Sequence, residues 1–173
     1  MSEGLITANM KLSLEKIIAH CFYCNRITDR ICSLLSVKFV MPITSGIIHQ
    51  NLAHRYPLLA DIISDYMDAR DCTTIYGETP SGDQDYDRPI DCFNKILEIN
   101  LNLENLTKEA IVLAQSINDY TTKVYLEDFL EDIIPITKDI LSLVDKAEMY
   151  GNSDSDMMRF DKDIRAFGLF GEE

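Results

Sequence analysis

Few side chains in this sequence are suited to chemistry. The five cysteines stand at 21, 24, 32, 72 and 92. Cys21-Phe-Tyr-Cys24 has the C-x-x-C spacing, but a zinc site needs a second pair, and a redox motif needs a preceding strand within an α/β pattern. Neither surrounds it. On a helix the two thiols lie nearly one turn apart, where small apolar cysteines fill a helix interface. An odd count also argues against a disulfide framework and for reduced thiols in a cytoplasmic protein. The three histidines are His20, His49 and His54. Residues five apart on an α-helix are separated by roughly 140°, so His49 and His54 are not expected to face the same axis.

The acids are more numerous. Glu98 lies between Leu97 and Ile99 on a very apolar stretch, so it is the carboxylate expected to turn inward. Glu127, Asp128, Glu131 and Asp132 form a band about one turn tall that reads as a solvated face. Residues 61–91 hold nine acids and two arginines, a surface whose field can gather cations but whose simplest role is solubility. Gly77-x-x-x-x-Gly82 lacks the following Lys-Ser/Thr of a phosphate loop. The net charge of −13 argues against nucleic acid or an anionic membrane surface as a partner, since both select clustered Lys and Arg.

These residues must be positioned by helices. A chain of 173 residues, 46% apolar with only seven glycines, fits one domain able to bury a core without disulfides or a structural metal. Apolar residues recur at three- and four-residue steps over about 9–38, 45–72, 89–117 and 120–149. Thr44 or Ser45 can cap the second stretch, Pro89 opens the third, Asn118-Asp119 makes a turn, and Gly151 stops the fourth. Pro57 and Pro135 lie inside helical stretches and predict a kink or restart; the ring of Pro57 would clash with the carbonyl of Ala53. Residues 73–88 carry turn formers and acids without a stripe, and a loop this long can cross a bundle so that the helices on either side run parallel. Sustained β alternation is absent. No apolar run approaches the ~18 residues of a membrane span, and the polar start Met1-Ser2-Glu3-Gly4 does not read as a secretory signal. The tail, 151–173, has Phe160, Ile164, Phe167, Leu169 and Phe170. It predicts a short amphipathic helix that needs a groove on its own chain or on a protein partner.

The order helix, turn, helix, long crossover, helix, turn, helix resembles the ferritin-like superfamily, which includes ferritins and Dps-type miniferritins. Ile117-Asn118-Asp119-Tyr120-Thr121-Thr122, followed by Tyr125-Leu126-Glu127-Asp128-Phe129-Leu130-Glu131-Asp132, is similar to the turn and fourth-helix opening of many ferritins. The resemblance implies an all-α, up-down four-helix bundle over residues 1–150, with a long crossover between its second and third helices and a short C-terminal helix. It also implies iron as the ion handled, ferroxidase-type chemistry if the site is intact, and homo-oligomers, dimeric or larger. In this family, carboxylates from all four helices and an E-x-x-H step build the metal site. Carried over residue by residue, that site would use Glu15, His54, Glu98 and Asp132. Asn51 stands in place of a bridging acid and Pro135 in place of a second histidine, so the implied site is degenerate. The alternative reading is a non-enzymatic helical bundle that serves as a scaffold or interaction protein. The two readings differ in whether Glu98, His54 and Asp132 converge inside the core.

Overall fold

The computed structural model describes residues 4–171; Met1, Ser2 and Glu3 of the polar start and the two final glutamates lie outside the described residues. Helix α1 (Ala8–Val37) starts behind Thr7, whose hydroxyl accepts the Met10 N–H at 3.3 Å. It buries Met10, Leu14, Ile17, Cys21, Cys24 and Ile31 along one face.

The second helical stretch is in pieces. A short α2 (Pro42–Ile48) leads into a π-helical segment (His49–Ala53) and then α3 (Arg55–Ala69). The start at Pro42 lies upstream of the expected caps, because proline at the first helical position needs no N–H partner. Thr44 and Ser45 therefore lie inside α2. The Ser45 hydroxyl donates instead to the Cys32 carbonyl at 2.7 Å. The break expected at Pro57 is present. The π segment ends at Ala53 and α3 restarts at Arg55, so Pro57 sits in the first turn of a new helix.

Helices α4 (Pro89–Ser116) and α5 (Tyr120–Tyr150) agree closely with the periodicity. Asn118 takes a positive φ of 60° in the turn, and the Asp119 carboxylate accepts the Thr122 N–H at 3.0 Å. Gly151, at φ 104°, ends α5 where a side chain would be strained. Pro135 does not interrupt α5. It lies on the exposed side with Glu131, whose carbonyl it leaves without a helical partner.

In the bundle, α1 packs against α3 and α4, and α4 against α5. Tyr66 of α3 stacks on Tyr125 of α5 with ring centroids 4.2 Å apart, which closes the ring of four. The crossover 70–88 runs along α1 in the same direction as the helix. Leu5 N donates to the Arg70 carbonyl at its start, Arg26 and Arg30 donate to the Pro80 and Gln84 carbonyls, and Lys38 donates to Tyr86 at its end. It therefore carries the chain from the start of α1 to its end, and α3 and α4 run parallel, as expected. Gly82 is needed in this strap: a Cβ there would lie 2.9 Å from Cγ of Arg26.

The tail forms α6 (Asp154–Asp163) and two 3-10 turns, Ile164–Phe167 and Leu169–Gly171. Its groove is on its own chain, the first of the two expected alternatives. Phe160 is fully buried, with ring centroids 5.7 Å from Phe93 and 5.5 Å from Tyr150. Asp161 is buried and accepts the Thr44 N–H at 2.7 Å and the Ile43 N–H at 3.4 Å, capping α2 from 117 residues away. Every element among the described residues is helical, and no helix is long and apolar enough to cross a membrane.

Candidate functional site

The polar centre of the bundle is built from residues that the sequence did not single out. Tyr56 of α3 is fully buried, and its hydroxyl donates to Oδ1 of Asn100 on α4 at 3.0 Å. Nδ2 of Asn100 donates to Oγ1 of Thr137 on α5 at 2.7 Å, and Thr137 donates to Glu104 on α4. Glu104 is nearly buried and pairs with Lys108 at 3.4 Å, on the outer side of the same helix. Helix α1 contributes thiols to this region. Burial, with the neighbouring Cys24 and Cys21, pushes the Tyr56 phenol well above its ordinary value. The Cys21 and Cys24 thiols are also pushed up, chiefly by burial, and Cys24 Sγ lies 3.6 Å from the Ile99 carbonyl. The C-x-x-C pair is thus a protonated helix interface rather than a nucleophile or ligand.

This network is neutral where the helices face one another, and each of its members is partnered. Such an arrangement fixes helix register and costs little, because few polar atoms are left unpaired. It offers phenol, amide and hydroxyl groups and a single carboxylate, Glu104, already engaged by Thr137 and Lys108, rather than the several carboxylates of an iron centre.

The four residues of the implied metal site lie apart. Glu15 is under the crossover, accepting the Ile75 N–H at 3.1 Å, with Lys11 at 3.7 Å. Glu98 is exposed and pairs with Lys95 at 3.0 Å, so it is turned outward, not inward. The reason is phase: Glu98 is two residues from buried Ile96 and two from buried Asn100, about 200° away from each. Apolar neighbours in sequence do not share its face. Asp132 is exposed in the solvated acidic band, and His54 is exposed on the outer face. No group of three or more His, Cys, Asp or Glu side chains able to hold a metal forms among the described residues. The donor set therefore does not fit a carboxylate-rich iron centre.

The structure does bring His49 and His54 together. The His54 N–H bonds the His49 carbonyl at 3.3 Å, an i→i+5 bond that sets residues five apart one above the other. Their ring centroids are 4.5 Å apart. The α-helical angle expected between them does not apply on a π turn. Nδ1 of His49 lies 3.1 Å from the Asp29 carboxylate of α1.

Solved structures share this architecture. A humanized archaeal ferritin superposes with a TM-score of 0.84 over 92% of this chain and 95% of its own, at 16% identity. An open pore ferritin from the hyperthermophilic archaeon Archaeoglobus fulgidus gives a TM-score of 0.81 over 92% and 97%, at 18% identity. The fold is ferritin-like. An engineered closed form of the Archaeoglobus fulgidus ferritin matches the ferritin-like bundle to a similar degree, with a TM-score of 0.80, 18% identity and 92% and 96% coverage. No protein-family model and no curated protein sequence matches the chain.

Three signals in the sequence pointed to the true centre of the ferritin-like bundle. Asn100 is seven residues after Phe93, four after Ile96 and three before Leu103, squarely on the buried stripe. Tyr56 and Thr137 likewise fall on the buried stripes of α3 and α5.

Proposed function

We propose that this ferritin-like bundle acts as a self-associating scaffold or interaction protein, and that its interior serves to hold the fold rather than to oxidise iron. The observation that carries this reading is the partnered, neutral Tyr56–Asn100–Thr137 network at the polar centre. The acids that would be needed there are engaged elsewhere: Glu15 with the crossover, Glu98 with Lys95, and Asp132 in a solvated band. Self-association is supported by apolar side chains left exposed on α1 and the adjoining crossover, among them Leu12, Ile75 and Tyr76. Five free, buried cysteines suit a reducing, cytoplasmic setting.

The test is titration of the metal-free protein with ferrous iron under anaerobic conditions, followed by air, alongside sedimentation velocity. The expected result is no stoichiometric binding, oxidation at the rate of free ferrous iron, and a sedimentation coefficient above that of a monomer. Stoichiometric binding and rapid oxidation, lost in E15A or E98A, would overturn the reading and restore iron handling. A monomer at all concentrations would overturn self-association.

A further inference from the structure

The interior explains the fold, but it leaves the His49–His54 pair without a structural purpose. These rings lie on the outer face of the bundle. His54 is exposed, and the side chain of His49 retains 41% of its accessible surface. Nothing in the core requires two imidazoles to meet at 4.5 Å. They meet because residues 49–53 are wound as a π helix, which is rare and is frequent at functional sites.

We propose that His49 and His54 form a surface site for a divalent transition metal ion of the Ni2+, Cu2+ and Zn2+ group. Three observations support the assignment. First, the chemistry matches: two neutral imidazoles suit Ni2+, Cu2+ and Zn2+, whereas carboxylates and water suit the harder Mg2+, Ca2+ and Mn2+. Second, the Asp29 carboxylate lies 3.1 Å from Nδ1 of His49. With the proton on Nδ1, this contact leaves the Nε2 lone pair free for an ion. A carboxylate on the second ring nitrogen is the common partner of a metal-binding histidine, orienting the ring and raising its basicity. Third, the net charge of −13 draws cations to the surface. No third ligating side chain joins the pair among the described residues, so water completes the coordination shell. The site shares His54 with the implied iron centre but uses none of Glu15, Glu98 and Asp132; its second donor, His49, and its preferred ion differ.

The experiment uses the full metal-free chain in a non-chelating buffer at pH 7.5, with Ni2+ as the probe. Calorimetry reports stoichiometry and affinity, and NMR of the imidazole protons locates the ion. One equivalent is expected to bind, perturbing the His49 and His54 ring signals before those of His20. H49A and H54A are each expected to weaken binding at least tenfold. D29N is expected to weaken it by about tenfold, the lower end for loss of an outer-shell partner. The two rings are exposed or half-exposed, so circular dichroism and the thermal midpoint should hold in all three variants. No binding up to millimolar Ni2+ would overturn the site. So would binding that leaves both ring signals unmoved, or that persists in both histidine variants, since the ion would then lie on the acids of residues 61–91. Unchanged affinity in D29N would overturn the positioning role of Asp29.

Discussion

Nδ2 of Asn25 donates to the carbonyl of Ala53 at 2.9 Å. This is the carbonyl four residues before Pro57, the one whose helical partner the proline ring removes. A side chain from α1 thus supplies the bond that the second helical stretch cannot make for itself, and Ala53 is fully buried. N25A should cost about 1–3 kcal/mol in urea unfolding, the penalty for an unsatisfied buried acceptor. The cost should shrink in a P57A background, where an amide at 57 is available to the same carbonyl. Additivity of the two substitutions would show that the bond and the proline are not coupled.

The Tyr56–Asn100–Thr137 network makes a second prediction. N100L leaves the fully buried Tyr56 hydroxyl without an acceptor and should destabilise the fold by about 1–3 kcal/mol. The triple variant Y56F/N100L/T137V removes the partners together and should recover most of that loss. Urea unfolding of the two variants checks it; a triple variant less stable than N100L would mean the network contributes more than satisfied hydrogen bonds.

Asp161 ties the tail to the start of α2 through the Thr44 and Ile43 amides. D161A should lower stability by about 0.5–2 kcal/mol, as expected for loss of a helix N-cap. The loss should be local. Amide hydrogen exchange should quicken in residues 42–48 and in the tail, and change little in α4. Uniform quickening across the bundle would contradict a capping role.

The four long helical stretches, the crossover and the parallel placement of α3 and α4 were legible because each rests on local pattern: a periodic stripe, a proline, a glycine, a run of turn formers. The site was less legible. Glu98 has apolar neighbours in sequence, but burial follows helical phase, and phase placed Asn100 inside instead. His49 and His54 were set apart by α-helical geometry, and a π turn cannot be read from spacing. The cap on α2 comes from Asp161, 117 residues beyond Thr44, and no local signal carries a contact of that range.

His20 sets the last prediction. It is half-buried against α4, 2.7 Å from the Ile99 carbonyl, so Nε2 carries the proton and donates. Burial lowers its pKa below the ordinary 6.5, opposed in part by the Ile99 hydrogen bond. The folded state therefore favours neutral His20, and the unfolded chain takes up the proton first as pH falls. The stability this contributes is fully present above about pH 6.5, the unfolded value, and is lost as pH falls through the lower folded value. Asp85 and Asp156 are held below 3.8 chiefly by their hydrogen bonds to Lys38 and Ser153, so their contribution is lost in a separate, more acidic window. Urea unfolding between pH 7.5 and 5 should show stability falling in the wild type. H20Q keeps a side-chain N–H near the Ile99 carbonyl but does not titrate, so its profile should be flatter over that range. Parallel profiles would assign the slope to groups other than His20.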